Sequence, residues 1–112
     1  MPALMRTAQG LERIRALLGH PIHVNSGYRS PEVNAAVGSK PTSQHMKGEA
    51  ADIIVRQHYE ALKWIAGNLP FDQLIDEFPP RGWIHVSYSP AHRRQMLVID
   101  SRGARPIDFS RT

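Results

Sequence analysis

The spacing of apolar positions predicts two amphipathic helices. From Leu4 to Leu18 the apolar residues recur at three- and four-residue steps, and Gly19 follows as a stop signal. A second stripe with the same period runs from Tyr59 to Leu69 and is closed by Pro70. We expect the first helix to be structural and the second to cover one face of a sheet.

A third, shorter helix is predicted between them. Ser30 can cap its N-terminus, Pro31 occupies the first helical position, and Gly38 ends it. Residues 38–49 are rich in Gly, Ser, Pro and Thr and therefore read as a loop.

Short segments rich in β-branched or alternating residues predict the strands. They are Ile22–Asn25, Ala50–Val55, Asp72–Phe78, Trp83–Tyr88 and Met96–Asp100. The composition of residues 79–82 suits a hairpin turn. From Ser101 onward no periodicity is clear, and we expect a loosely held tail. A chain of 112 residues fits a single domain, residues 1–112.

Composition and charge narrow the classes of partner. The net charge of +4 favours anionic partners, but the cations are scattered. Without aromatic interleaving or a groove-entering helix pattern, we expect no nucleic acid partner. No stretch approaches the ~18 apolar residues of a membrane span, so we also expect no membrane insertion. We expect a monomer, made in the cytoplasm without a signal peptide.

The absence of cysteine leaves His, Asp and Glu as metal donors. Among six histidines, His45 lies in the loop before the second predicted strand, which carries Asp52, and His85 lies on a later strand. A catalytic zinc ion takes three protein ligands of these types and leaves one position for water. The donor set is therefore adequate for zinc, although the residues alone do not decide for it.

The order and spacing of these residues resemble one known family. Ser43-x-His45-x-x-Gly48-x-Ala50-x-Asp52, followed by Trp83-x-His85, looks like the zinc D-alanyl-D-alanine carboxypeptidase family, whose relatives include phage endolysin peptidases and the hedgehog fold. The likeness extends to Ser26–Pro31 and Asp72–Ile75 and covers roughly residues 10–90. It implies an α+β domain with a small antiparallel sheet and flanking helices, one Zn²⁺ ion, and hydrolysis of peptidoglycan peptide bonds that involve D-amino acids.

The resemblance also assigns roles to individual residues. It makes His45, Asp52 and His85 the zinc ligands. It makes Arg29 the group that polarises the scissile carbonyl or binds a substrate carboxylate, a role that suits a fixed cation. Ser43 and Tyr28 would contact the substrate, and packing is expected of Tyr28 rather than catalysis. The other four histidines are expected not to be ligands.

The general base is where the sequence departs from the commonest family pattern. That pattern places Asp or Glu three residues before the last histidine ligand, where this chain has Gly82. The nearby carboxylates are Asp76 and Glu77. Strand alternation sends Leu74, Asp76 and Phe78 to the core face, together with Ile84, Val86 and Tyr88 of the next strand. It puts Glu77 on the face of His85, so Glu77 is the better candidate, although a bulge at residues 79–80 would reverse the parity.

Two classes of function remain open from the sequence. The first is a peptidoglycan peptidase, either a carboxypeptidase that trims terminal D-alanine or an endopeptidase that cuts a stem peptide. The second is a zinc-binding interaction module of the hedgehog-like fold without turnover. Because a cell-wall enzyme without a signal peptide needs release or delivery, a phage or prophage origin is expected for the first class.

Overall fold

The computed structural model describes residues 2–26, 47–79, 82–90, 93–107 and 109, and in these ranges two helices pack on one six-stranded sheet. The helices are α1 (Ala3–Leu18) and α2 (His58–Asn68), and the strands are β1 (His23–Ser26), β2 (Ala50–Ile54), β3 (Gln73–Glu77), β4 (Trp83–Ser87), β5 (Gln95–Asp100) and β6 (Gly103–Pro106). The α+β class is confirmed. Neither described helix is long and apolar enough to cross a membrane.

The two amphipathic helices lie where the apolar spacing predicts them. Gly19 ends α1 in the left-handed conformation, with φ 74°, and its N–H donates to the carbonyl of Arg15. At the end of α2, the N–H of Leu69 donates to the carbonyl of Ile65. The short helix predicted from Ser30 to Gly38 lies outside the described residues.

The sheet has the strand order β1-β2-β4-β3-β5-β6 and is mixed rather than wholly antiparallel. Four neighbouring pairs are antiparallel, whereas β3 and β5 are parallel. The chain leaves β4 beside the start of β3 and crosses to the other edge of β3, so that β5 runs opposite to β4 and alongside β3. The antiparallel expectation is corrected at this one pair.

The segment that connects β4 to β5 is hydrogen-bonded to Asp72, the residue immediately before β3. The Asp72 side chain is fully buried, and its carboxylate accepts bonds from the backbone N–H, Nε and Nη2 of Arg93 at 2.9, 3.0 and 2.8 Å. The Asp72 backbone bonds to Ser87 and to Gln95. These contacts hold the end of β4, the start of β3 and the start of β5 together.

The tail after Ser101 contains a strand that the sequence pattern did not indicate. Residues Gly103–Pro106 form β6, which pairs antiparallel with β5. The connecting turn uses Gly103 at φ 106°. Arg105 and Asp100 form a two-point ion pair across it at 3.1 and 2.8 Å. Because β6 is short, mostly exposed and without a large apolar residue, hydrophobic alternation gives no signal for it.

The core lies between the helices and one face of the sheet. It contains Ile14 and Leu18 of α1, Leu62 and Ile65 of α2, and Ile53, Leu74, Ile84, Val86 and Tyr88 from β2, β3, β4 and the residue after β4. At Gly10, α1 approaches so closely that a Cβ there would overlap the ring of Tyr88. The opposite face of the sheet is free of these helices and carries the polar side chains considered next.

The predicted alternation holds along both hairpin strands except at one residue. Leu74, Ile84, Val86 and Tyr88 belong to the core. Phe78 was expected to join them, but it is 46% exposed. It has φ 54°, which turns the chain out of the strand at its end, and its ring packs on Trp83 with centroids 5.6 Å apart. Strand parity ends with β3 at Glu77 and does not reach Phe78.

Candidate metal centre

Sheet register brings three potential metal donors to one place. Asp52 on β2 is the direct partner of His85 on β4. On the other side of β4, His85 is opposite Ile75, and Glu77 lies two residues further along β3. Because residues two apart on a strand share a face, Glu77 is on the same side of the sheet as His85 and diagonal to it.

The side-chain atoms of these residues form a tight cluster. His85 Nδ1 is 3.1 Å from Asp52 Oδ1 and 3.8 Å from Glu77 Oε1. One ligand atom from each residue can be chosen so that all lie within 4.8 Å of one another. The side chains are 10%, 14% and 20% exposed for His85, Asp52 and Glu77, so the cluster is largely shielded but open to solvent at Glu77.

The donor set and its spacing fit a zinc ion. Imidazole nitrogen and carboxylate oxygen bind zinc at about 2.0–2.2 Å, so two donors on one tetrahedral ion lie roughly 3.3–3.6 Å apart. The 3.1 and 3.8 Å separations of His85 Nδ1 from Asp52 Oδ1 and Glu77 Oε1 bracket that value. Asp52 and His85 can therefore bind the same ion, and Glu77 lies close enough to be a third donor.

The structure places only part of the site predicted from the sequence. Asp52 and His85, two predicted ligands, are together, and Glu77, the predicted base, is beside them. His45, Ser43, Arg29 and Tyr28 lie outside the described residues, and their roles stay predictions. The carboxylate of Glu77 is near enough to be either a ligand or a base.

Asp76, the other carboxylate considered as base, faces away from the cluster. Its side chain is 9% exposed and contacts His58 at the start of α2, with Nε2 and Oδ1 2.6 Å apart. The pKa of Arg105 is raised mainly by its hydrogen bond to Asp100, and the negative charge of Asp76 adds to that effect. The alternation of β3 therefore separates the two carboxylates and leaves Glu77 as the one on the site face. The pairing of His58 with Asp76 had no signal in the sequence.

Gly82 shows why a carboxylate cannot occupy the commonest family position of the base in this chain. A Cβ at Gly82 would overlap the carbonyl oxygen of Glu77. Any side chain there would force apart the backbone between β3 and β4. A side chain at position 82 would therefore displace the backbone of Glu77 as well.

An unsatisfied donor lies beside the cluster. The indole Nε1 of Trp83 is buried and, within the described part of the chain, has no hydrogen-bond acceptor. Trp83 is the strand partner of Glu77 and lies two residues before His85. Leaving a buried N–H unpaired costs about 1–3 kcal/mol, so this donor lowers the stability of the fold next to the cluster.

Most of the chain is similar to a known protein family. Residues 1–87 match the Peptidase M15 family, and this range contains Asp52, Glu77 and His85 as well as α1. Strands β5 and β6 lie beyond it. A comparison with curated proteins gave no match. The match confirms the resemblance noted in the sequence, and the chain belongs to the Peptidase M15 family, a zinc-dependent metallopeptidase family of the D-alanyl-D-alanine carboxypeptidase type.

Proposed function

We propose that this protein is a zinc metallopeptidase that hydrolyses peptide bonds involving D-amino acids in bacterial peptidoglycan. The observation that carries the proposal is the clustering of Asp52, Glu77 and His85 on the face of the sheet opposite α1 and α2, in a domain of the Peptidase M15 family. The cluster combines metal donors with a carboxylate that remains in contact with solvent, which is what a hydrolytic site requires.

In this proposal His45, Asp52 and His85 hold the zinc ion and Glu77 is the general base. Asp52 and His85 approach each other more closely than His85 and Glu77 do, at 3.1 against 3.8 Å. Glu77 is also the most exposed of the three and so the best placed to meet an incoming water molecule. Gly48, with φ 73°, turns the chain between His45 and Asp52.

The reaction would be the addition of water across a peptide bond. When bound, zinc supplies a Lewis acid that polarises the carbonyl and makes water more acidic. Glu77 would take a proton from the attacking water as the water oxygen bonds to the carbonyl carbon. It would pass that proton to the amine nitrogen as the C–N bond breaks. Arg29 would stabilise the negative charge on the carbonyl oxygen or hold a terminal carboxylate, and Ser43 and Tyr28 would contact the substrate.

The charge of the chain suits an anionic cell wall. The net charge of +4 favours encounter with anionic wall polymer, and such attraction weakens as salt rises. An endolysin-like role, with the enzyme released or delivered to the wall by a phage or prophage, is part of the proposal.

The test is digestion of purified peptidoglycan with and without a zinc chelator, followed by mass spectrometry of the released products. Free D-alanine would identify a carboxypeptidase, whereas stem-peptide fragments would identify an endopeptidase. Products should vanish with chelator and return when zinc is added. Absence of any zinc-dependent product would reject the peptidase proposal.

A zinc-binding module without turnover is the second candidate. It is favoured by Gly82 at the commonest base position and by the proximity of Glu77 to the other donors, which would allow it to serve as a ligand. In that case zinc would bind tightly, no peptide would be released, and the carboxylate of Glu77 would be needed for metal retention.

A further inference from the structure

Helix α1 bonds directly to the turn that leads into β2. The hydroxyl of Thr7 donates a hydrogen bond to the carbonyl oxygen of Gly48 at 2.7 Å, and both residues are buried. The same hydroxyl lies 3.1 Å from the carbonyl of Ala3 in its own helix. A hydroxyl has one proton to donate, and we assign it to the shorter contact, with Gly48. This hydrogen bond links α1 to the turn before β2.

The turn is pressed against the helix at this point. A Cβ on Gly48 would lie 3.0 Å from Cγ of Leu4 on α1, and Gly48 has φ 73°. Glycine therefore serves both the left-handed conformation and the close approach. The position of the Gly48 carbonyl is determined by the helix rather than by the loop alone.

A second attachment fixes the next residue. Arg6 Nη2 is 3.6 Å from Glu49 Oε2, and Arg6 Nε donates to the carbonyl of Tyr88 at 3.3 Å. The N–H of Tyr88 in turn donates to the carbonyl of Glu49 at 2.7 Å. Arg6 thus links α1 to the two chain segments that enter β2 and leave β4, the strands of Asp52 and His85.

We propose that Thr7 and Arg6 are positioning residues for the metal centre. Gly48 lies three residues after His45 and four before Asp52 in the sequence. By holding Gly48 and Glu49, α1 fixes the point from which the chain enters β2 and reaches Asp52 on the sheet. The inference rests on the proposed zinc site and gives α1 a part in metal binding beyond packing.

The test compares zinc affinity between variants that remove or keep the Thr7 hydroxyl and a control variant in the core. Thr7→Val keeps the shape of the side chain and removes the hydroxyl, whereas Thr7→Ser keeps the hydroxyl. Ile65→Val is the control, because it removes one methylene from a fully buried residue on α2 that has no bond to the Gly48 turn. Zinc dissociation constants are measured by competition with a chromophoric chelator, well below the midpoint of thermal unfolding of the metal-free proteins.

We expect Thr7→Val to weaken zinc binding roughly three- to tenfold, less than the 10- to 100-fold typical of a group bonded directly to a metal ligand. Thr7→Ser and Ile65→Val should stay near the wild-type value. Arg6→Gln removes the second attachment from a partly exposed position and should also weaken zinc binding. It takes the place of Thr7→Val if that variant does not fold by circular dichroism.

Three outcomes are distinguishable. Weakened binding in Thr7→Val with rescue by Thr7→Ser supports the inference. Wild-type affinity in Thr7→Val, or in Arg6→Gln if it has to serve instead, overturns it, as does an equal loss in Ile65→Val. Failure of the wild-type protein to bind zinc would instead reject the proposed function on which the inference rests.

Discussion

Asp52 and His85 are direct partners on neighbouring antiparallel strands, and their side chains meet with Oδ1 and Nδ1 3.1 Å apart. Each comes from a different part of the sequence, yet the register of two regular strands sets their separation. The rigid sheet, rather than a loop, therefore fixes this half of the candidate metal centre. Four predictions test this site and the structure that supports it.

Removing His85 should abolish tight zinc binding. His85→Ala deletes one of the donors that the sheet holds in place, and we expect a loss of at least about 100-fold in zinc affinity, beyond the effect of losing an outer partner. The chelator-competition assay measures it. His20→Ala is the matched control, because His20 is partly exposed and bonds only locally to the Pro21 carbonyl among the contacts described. Equal zinc affinity in His85→Ala and His20→Ala would show that His85 is not a zinc ligand.

Replacing Glu77 by glutamine should separate metal binding from turnover. Glu77→Gln preserves the size of the side chain but removes the base, so kcat on peptidoglycan fragments should fall by about 10²–10⁴-fold. Zinc content should remain close to one ion per chain. Glu60→Gln, on the exposed surface of α2, is the control and should leave both values unchanged. Loss of zinc from Glu77→Gln would instead show that Glu77 is a zinc ligand.

Replacing Arg93, the partner of Asp72, should destabilise the fold whether or not metal is bound. Arg93→Met leaves a fully buried carboxylate without its guanidinium. Because the Arg93 side chain is half exposed and water can partly replace it, we expect about 2–3 kcal/mol of lost unfolding free energy rather than the larger loss for a wholly buried pair. Urea denaturation of the metal-free protein measures the difference.

The control for that experiment is Arg15→Met, which breaks the exposed pair of Arg15 with Glu12 on α1. An exposed pair of this kind contributes within about 0.5 kcal/mol. Similar losses in the two variants would contradict the structural role given to Asp72.

The ion pair across the β5–β6 turn should make stability depend on pH. Hydrogen bonds from the guanidinium of Arg105, and then from the backbone of Arg102, hold the pKa of Asp100 well below its usual range. A lowered carboxyl pKa stabilises the folded state above the unfolded pKa of about 4, and this contribution disappears as the pH falls below that value. The unfolding free energy of wild type should exceed that of Asp100→Asn at pH 7, and the gap should shrink at pH 3. An unchanged gap would exclude this linkage.

Much of the fold follows from local sequence pattern. The apolar periods of α1 and α2 and the alternation along β3 and β4 are properties of neighbouring residues, and they indicated the helices, the strands and the face on which Glu77 lies. Within the Asp72–Ile75 segment of the family resemblance, Asp72 is the buried partner of Arg93.

Other features depend on contacts between distant residues and could not be read from pattern. The parallel pairing of β3 with β5 arises from a crossover fastened by Asp72 and Arg93, which are 21 positions apart. Phe78 leaves the core because of its backbone φ, which hydrophobicity does not reveal. Thr7 is an ordinary polar residue in a helix by sequence, and the packing of α1 on the Gly48 turn gives it a partner outside its own helix.

The strand order has a consequence for amide hydrogen exchange. Strands β2, β4 and β3, which carry Asp52, His85 and Glu77, all lie inside the sheet with a neighbour on either side, whereas β1 and β6 form its edges. Edge strands fray at low free-energy cost, but interior strands exchange their amide protons only when larger units open. The amides of β3 and β4 should therefore be among the slowest to exchange, and the donors should remain assembled while the borders of the sheet fluctuate.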